Sequence, residues 1–150
     1  RRWCGITDRQ EVNYDVKELG WNFYMNEFSA AVGLAQLSRL DRLNKKRLQA
    51  AKRYNKELNV ERKMPLSTEC VYHFYWILIN NRKQFRKKMS KLGIETGTHY
   101  KPVHKMTMYK TNTKLSATEE IGQQIVTLPT HPNLTEENLT TIIEAVNKLC

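Results

Sequence analysis

The feature that most constrains the fold is a single apolar stripe in the first half of the chain. Between residues 34 and 58 apolar side chains recur every three to five positions, with polar residues between them. That spacing predicts one amphipathic helix over residues 29–58, capped by Asn26 or Ser29. At 1.5 Å per residue such a helix would be roughly 45 Å long, which exceeds the width of a small domain. We therefore expect it to connect two bodies, with 1–28 as an arm of one and 59–150 as the other. The stripe consists of Leu34, Leu37, Leu40, Leu43, Leu48, Ala51, Tyr54 and Leu58.

The segment after the helix predicts a small α/β domain. Residues 71–79 and 94–100 are rich in β-branched and aromatic side chains, which is typical of strands, and the first of them carries apolar residues at both parities. We expect these two segments to form a short, mainly antiparallel sheet, with the strand over 71–79 covered on both faces.

Three further helices are predicted to back this sheet. One contains Phe85 and ends at Gly93, because glycine is the preferred residue just past a helix C-terminus. A second begins with a capping box formed by Ser116 and Glu119. The last begins at Thr135 and has a continuous apolar face.

The charge of the chain permits nucleic-acid binding without requiring it. There are 25 Lys and Arg against 15 Asp and Glu, a net charge of +10, and the positive charge is concentrated in 39–56 and 82–91. Such runs can follow a phosphate backbone. More often they are the solvated faces of amphipathic helices, and we favour that interpretation because the motifs of zinc fingers and of the common RNA-binding domains are absent.

Other protein classes are disfavoured by simple counts. No apolar run approaches the ~20 residues of a membrane-spanning helix, and the first residues do not resemble a secretory signal. Three scattered cysteines argue against a disulfide framework or a zinc ribbon, so we expect a reducing, cytoplasmic location. A chain that opens with Arg-Arg-Trp-Cys and no Met also reads like part of something longer.

Candidate chemistry lies in one histidine-containing loop. His99 and His104 are separated by a short segment with a proline, but no third ligand has the local spacing of a metal site, so no metal is predicted. The two imidazoles could be neutral donors in a pocket or ordinary loop residues, and the residues alone do not decide between these. His73 is expected in the core and His131 in a turn. No nucleophile elbow or phosphate-binding glycine loop is present.

Four segments in order resemble the sugar aminotransferases of the DegT/DnrJ/StrS type. The Gly-Trp-Asn-Phe-Tyr-Met-Asn-Glu of 20–27 is similar to the family's phrase before a long helix, and 30–37 resemble the start of that helix. Residues 93–104 resemble a Gly-Ile-x-Thr-x-x-His-Tyr-x-Pro-x-His segment, and 128–132 a Leu-Pro-x-His-Pro turn. The resemblance extends over essentially the whole chain.

This resemblance implies the carboxy-terminal part of a pyridoxal 5′-phosphate enzyme with the aspartate-aminotransferase fold. The implied reaction moves an amino group from glutamate to a keto-sugar on a nucleotide. In the family the Schiff-base lysine lies upstream of the part matching Arg1, so no catalytic residue is expected in this chain. Homodimers with shared active sites are implied, with no membrane and no specific nucleic acid as partners.

The resemblance also implies roles for individual residues. Asn22 would donate to the cofactor phosphate of the neighbouring subunit, and Tyr24 stands where many relatives have an arginine. His99, Tyr100 and His104 would face the substrate.

Two alternative functions are kept. One is a catalytically inactive relative or a basic nucleic-acid-binding module. The other is a sugar dehydratase of the same fold, which has histidine in place of the Schiff-base lysine.

Overall fold

A computed structural model describes residues 19–21 and 23–150 of the chain. Its elements, in order, are the helices and strands α1 (Glu27–Leu37), α2 (Leu40–Glu57), β1 (Tyr75–Leu78), α3 (Arg82–Lys91), α4 (Ser116–Gln124), β2 (Ile125–Leu128) and α5 (Glu136–Leu149). Two short 3₁₀ helices, Val103–Lys105 and Thr107–Tyr109, lie between α3 and α4. The chain divides after Leu40 into two compact units.

The helix predicted over 29–58 is present as two helices, which corrects that expectation. Asn26 caps α1 as predicted, its Oδ1 accepting from the backbone N–H of Ser29 at 2.8 Å. The break falls at Ser38 and Arg39. The Ser38 hydroxyl donates to the carbonyl of Ala35 at 3.0 Å, and the N–H of Arg39 donates to the carbonyl of Gln36 at 3.3 Å. A serine that bonds back to its own backbone competes weakly with helix continuation, and this contact coincides with the interruption.

The two helices differ in how their apolar residues are covered. None of the residues of α1 is buried, and Leu34 is 69% exposed. In α2 the later part of the predicted stripe is buried, with Ala51 and Tyr54 fully covered. Tyr54 also donates its hydroxyl to the carbonyl of Pro129 at 2.7 Å, so the buried phenol is satisfied.

The sheet has two antiparallel strands, β1 and β2, with Tyr75 opposite Leu128 and Leu78 opposite Ile125. The strand predicted over 71–79 is shorter than expected, and only alternate residues of β1 are fully buried. The strand predicted over 94–100 is wrong. That segment pairs with β2 only at Gly97, and the second strand is the Ile-Val-Thr-Leu that directly follows α4.

The ends of α3 and α5 agree with their sequence signals. Gly93 follows α3 with φ of 75°, and the N–H groups of Gly93 and Ile94 donate to the last carbonyls of α3, each at 3.0 Å. Thr135 caps α5 in a reciprocal box with Asn138. The box predicted at Ser116 does not form, because α4 is capped by Leu115 and the Glu119 carboxylate is held mainly by side chains of the preceding loop.

One core joins these elements within the second unit. Its members are fully or nearly fully buried and come from α2, both strands, α3, α5 and the segments that connect them. The largest fully covered side chains are Tyr54, Tyr72, Tyr75, Ile77, Met89, Val126 and Val146. Arg53 ties α2 to α5, pairing with Glu57 at 2.8 Å and with Glu136 at 2.9 Å. These carboxylates raise the pKa of the guanidinium.

The basic run over 82–91 is the solvated face of α3, as we expected. Phe85 and Met89 are buried, whereas Lys83, Lys87 and Lys88 are exposed. Within the part of the chain that the structure describes, no helix is long and apolar enough to cross a bilayer.

Candidate functional site

The imidazole of His99 is held by two side chains. Its Nδ1 and the hydroxyl oxygen of Thr127 are 2.7 Å apart and share a hydrogen bond. Its ring stacks on Phe74 with a centroid distance of 5.6 Å and an interplanar angle of 10°. Thr127 is 3% exposed and belongs to β2, so the hydrogen bond is anchored in the sheet. Because Nδ1 is committed to Thr127, Nε2 is the nitrogen left for a ligand.

Gly97 makes this arrangement possible by its lack of a side chain. Its N–H donates to the carbonyl of Thr127 at 3.0 Å, and the N–H of Thr127 donates back to the carbonyl of Gly97 at 2.9 Å. A Cβ at Gly97 would lie 2.5 Å from Cε1 of His99 and 2.5 Å from Oγ1 of Thr127, well inside van der Waals contact. The site therefore requires glycine at this position for space.

Tyr100 lies next to His99 and presents its side chain to solvent. Its ring meets His99 edge-on at 4.9 Å and Phe74 at 6.4 Å, and it is 63% exposed. The peptide bond between His99 and Tyr100 is cis. The two residues thus form one surface with an imidazole and an accessible phenol.

A cleft of about 930 Å³ extends from this surface between α2, the segment around Gly97 and the start of α5. His73, His99 and His131 line it, together with Arg47 from α2. His73 is exposed, which corrects the expectation that it is a core residue. His131 accepts through its carbonyl from the N–H of Leu134 at 3.2 Å, so the predicted turn is present.

His104, the third predicted substrate residue, does not line this cleft. It lies in the first 3₁₀ helix, and its Nε2 is 3.1 Å from Oε1 of Glu119 in α4. The other carboxylate oxygen of Glu119 is 2.9 Å from the ammonium of Lys105. Lys105 and then His104 lower the pKa of Glu119 to about 2. The structure therefore brings His99 and Tyr100 together and engages His104 in holding the loop to α4.

Of the two predicted cofactor residues, the structure describes one. Asn22 is outside the described residues. Tyr24 is 62% exposed and precedes α1. A phenol can donate to a phosphate oxygen, so the side chain of Tyr24 fits the predicted contact to the cofactor phosphate.

Sequence reasoning missed four residues that shape the site. Thr127, Phe74 and Gly97 hold His99, and Arg47 lines the cleft. Gly97 could have been found, since an isolated glycine inside a strand-like segment often marks a close backbone approach. Thr127 and Arg47 gave no signal, because each is distant in sequence from the histidine-containing loop.

Among the residues that the structure describes, no three His, Cys, Asp or Glu side chains are grouped as a metal site would require. Besides the Glu95 carboxylate, the polar side chains that line the cleft carry imidazole, guanidinium, hydroxyl and amide groups. These bind oxygen-rich, anionic or polyhydroxylated ligands well.

Comparison with known proteins matches this chain to a family model and to curated relatives. The family model described as the DegT/DnrJ/EryC1/StrS aminotransferase family matches residues 2–147. The GDP-perosamine synthase of Escherichia coli O157:H7 is 29% identical over 151 residues, which cover 96% of this chain and 41% of that protein. The chain thus spans about two fifths of the length of the curated relatives it matches.

Solved structures agree with the sequence match. The sugar aminotransferase CalS13 from Micromonospora echinospora superimposes with a TM-score of 0.85 at 26% identity, covering 99% of this chain and 42% of that one. Helicobacter pylori PseC, described as an aminotransferase involved in the biosynthesis of pseudoaminic acid, gives a TM-score of 0.83 at 30% identity, covering 99% and 43%.

Proposed function

The chain belongs to the DegT/DnrJ/EryC1/StrS aminotransferase family, and we propose that it supplies the substrate side of a nucleotide-sugar aminotransferase. The family's aminotransferases depend on pyridoxal phosphate. The proposed reaction transfers an amino group from glutamate to a keto-sugar carried on a nucleotide. The observation that carries this proposal is the family match over residues 2–147, which includes all the residues of the candidate site.

The cofactor would supply the electron sink that the reaction needs, since its ring stabilises negative charge developing on the substrate carbon. Asn22 and Tyr24 are the residues of this chain that we propose to contact its phosphate. The Schiff-base lysine is proposed to come from outside residues 1–150. An amide and a phenol are neutral donors, so they would orient the phosphate without neutralising its charge.

His99 and Tyr100 are proposed to bind the substrate. An imidazole and a phenol are suited to sugar hydroxyls and phosphate oxygens, because each can donate to an oxygen lone pair. Thr127 and Phe74 fix the imidazole before any ligand arrives, which lowers the entropy cost of binding. We give His104 an indirect part: it helps to hold the loop that carries Tyr100.

We also propose a homodimer with shared active sites in the cytoplasm. The exposed apolar residues of the first unit support an interface on that unit; they include Trp21, Phe23, Phe28, Val32, Leu34 and Leu37. Apolar side chains this numerous and this exposed are usually covered in an assembled protein.

The proposal is tested with the complete encoded protein, including whatever precedes Arg1, loaded with pyridoxal phosphate. Incubation with glutamate and a panel of nucleotide-linked keto-sugars should release more than one equivalent of 2-oxoglutarate per active site only when an accepted sugar is present, because glutamate alone can load the cofactor only once. Repeated turnover without any keto-sugar, or no turnover with every sugar of the panel, would contradict the proposal.

The site assignment is tested by two variants in the same assay. The variant His99→Asn has a shorter side chain. It should raise KM for the sugar by about tenfold, since the hydrogen bond from Nε2 to an anionic or hydroxylated ligand is lost. His131→Asn is the matched control, because His131 lines the same cleft but has no contact with Thr127 or Phe74 among the described residues. Equal increases in KM for the two variants would contradict the assignment of His99 to substrate binding.

A further inference from the structure

The loop over residues 97–105 runs in the opposite direction along one continuous supporting segment, α4 followed directly by β2. At the first end of the loop, Gly97 exchanges two backbone hydrogen bonds with Thr127 of β2. Further along, Pro102 packs against Gly122 of α4, where a Cβ would lie 2.6 Å from Cγ of the proline. The contacts therefore pair successive points of the loop with successively earlier points of the supporting segment.

The far end of the loop is held by Glu119, in the first half of α4. Its Oε1 is 3.1 Å from Nε2 of His104, and its Oε2 is 2.9 Å from the ammonium of Lys105. The His104 side chain is 10% exposed and that of Glu119 is 27% exposed, so water screens this contact less than it screens an ion pair in full contact with solvent. A single carboxylate thus binds two successive residues of the loop.

The supporting segment is itself fixed to the rest of the second unit. None of the residues of α4 is buried, so packing in the core does not hold this helix. Its last turn is held by hydrogen bonds: the guanidinium of Arg82 in α3 donates to the carbonyl of Gly122, and the N–H of Ile79 donates to the carbonyl of Gln124 at 3.0 Å. The chain then enters the core at Val126, which is fully buried. Glu119 therefore acts from a helix with a fixed position.

The residues between the two ends of the loop include those proposed to bind substrate. His99 is held by Thr127 and Phe74, whereas Tyr100 is 63% exposed and touches its neighbours only at ring edges in the contacts described above. The position of the phenol thus depends on how firmly the loop is held on both sides of it. Glu119 supplies the support on the carboxy-terminal side.

We propose that Glu119 is a positioning residue for the substrate site: by fixing His104 and Lys105, it holds the loop so that Tyr100 stands ready beside His99. This inference rests on the proposed function, since it takes His99 and Tyr100 as substrate-binding residues. A loop that is ordered before the ligand arrives loses less conformational freedom on binding. Loss of the Glu119 contacts should therefore weaken substrate binding and leave the reaction of bound substrate nearly unchanged.

The test uses the complete encoded protein, loaded with pyridoxal phosphate and assayed well below the melting temperature of each variant. Glu119→Ala should raise KM for an accepted nucleotide-linked keto-sugar by about threefold to tenfold, with kcat within about twofold of wild type. Glu120→Ala is the matched control, because it makes the same change at the next position of α4, where the side chain is exposed and lies 3.8 Å from Arg62. It should leave both constants within about twofold.

Gly122→Ala disturbs the same loop without removing a charge. The added Cβ overlaps the ring of Pro102, which cannot rotate away as a flexible side chain could, so the loop must move. Alanine is also the better helix former, which offsets part of the cost of this overlap to folding. We expect KM for the sugar to rise as in Glu119→Ala while the fold is retained, an effect that loss of stability alone would not produce.

Hydrogen–deuterium exchange of the same proteins, read by mass spectrometry without substrate, gives a result that does not depend on activity. Peptides that cover residues 98–115 should exchange about tenfold faster in Glu119→Ala than in wild type or Glu120→Ala, because the loop opens more often. Peptides from β2 and α5 should be unchanged. If the wild type turns over no sugar, the proposed function fails, and this measurement alone decides whether Glu119 holds the loop.

Several results would overturn the proposal. They are unchanged KM in Glu119→Ala of an active protein, an equal rise in Glu120→Ala, unchanged exchange of the loop peptides, or faster exchange throughout the core. If Glu119→Ala does not fold, Glu119→Gln and Lys105→Met are combined in its place. Because these two side chains act through one ion pair, the double variant should raise KM no more than the larger single change, and additive effects would contradict the proposal.

Discussion

At the scale of single residues, Gly97 decides how the imidazole of His99 is held. The hydrogen bond to Thr127 and the close packing of the His99 ring both depend on the absence of a side chain at this position. Glycine is needed at this position for its small size and not for a left-handed backbone conformation, since its φ is not among the left-handed values. A single methyl group is therefore enough to test the arrangement.

Gly97→Ala should destabilise the folded chain by about 1–3 kcal/mol, because a Cβ there overlaps His99 and Thr127 and forces one of them to move. The measurement is the free energy of unfolding in urea, with the His99 ring signals followed by NMR. Gly33→Ala is the matched control. It lies in α1 with nothing near its Cβ, so it should be neutral or stabilising by about 0.5–1 kcal/mol. Unchanged stability and ring signals in Gly97→Ala would show that the close approach is wrong.

Glu119 gives a pH prediction at the same scale. Lys105 and His104 lower its pKa from an ordinary 4.5 to about 2, so the folded state favours the carboxylate more than the unfolded state does. Its stabilising contribution is therefore complete above about pH 4.5 and is lost as the pH falls toward 2. Wild type and Glu119→Gln should differ in melting temperature at pH 6 and converge near pH 2.

The control for this pH dependence is Glu120→Gln. Glu120 is the exposed neighbour of Glu119, and its ion pair with the described residues is a 3.8 Å contact with Arg62. Two results would contradict this role of Glu119. One is a change in melting temperature for Glu120→Gln that is as large as for Glu119→Gln. The other is a difference between Glu119→Gln and wild type that does not shrink in acid.

At the scale of elements, α5 shows what local sequence can specify. Its N-cap, its acidic first turn and its apolar face are all adjacent in the sequence, and the structure has each of them. The oxygen of the Thr135 side chain accepts from the N–H of Asn138 at 3.1 Å, and the side chain of Asn138 accepts from the N–H of Thr135 at 3.1 Å.

Thr135→Ala should therefore cost about 1 kcal/mol of stability, because the first turn of α5 loses its cap. Thr141→Ala is the comparison, since Thr141 lies inside the same helix and only bonds back to the carbonyl of Glu137. Alanine is the better helix former there, so that change should cost little or nothing. Chemical denaturation measures both, and equal losses would argue against the cap.

The elements that were mispredicted depend on contacts distant in sequence. Residues 94–100 have the composition of a strand, but the chain leaves the sheet after Gly97, where the His99 ring folds back against Thr127. Ile125–Leu128 was missed because it follows α4 without a turn residue. The capping box predicted at Ser116 does not form, because the Glu119 carboxylate pairs with His104 and Lys105.

The candidate site could be predicted only in part for the same reason. The resemblance selected His99 and Tyr100, which the structure places side by side. It grouped His104 with them because the three are close in sequence, whereas α4 holds His104 apart. Arg47 and Thr127 come from other elements, and only the packing of α2 and β2 brings them to the site.

At the scale of the whole molecule, the net charge of +10 is spread over helix faces that cover a core. We expect duplex DNA to bind weakly, without sequence preference, and with an affinity that falls steeply as salt rises. Fluorescence anisotropy with two unrelated duplexes across a salt series measures this. Tight binding of one duplex at physiological salt would favour the nucleic-acid-binding alternative.

We propose that this chain serves in amino transfer to a nucleotide-linked sugar. The most direct measurement follows nitrogen: the complete encoded protein is supplied with [¹⁵N]glutamate, pyridoxal phosphate and an accepted nucleotide-linked keto-sugar, and the sugar product is analysed by mass spectrometry. We expect a nucleotide-linked amino sugar that carries one ¹⁵N atom from glutamate. A product that has lost water and gained no nitrogen, as a dehydratase would form, or an unchanged keto-sugar would contradict it.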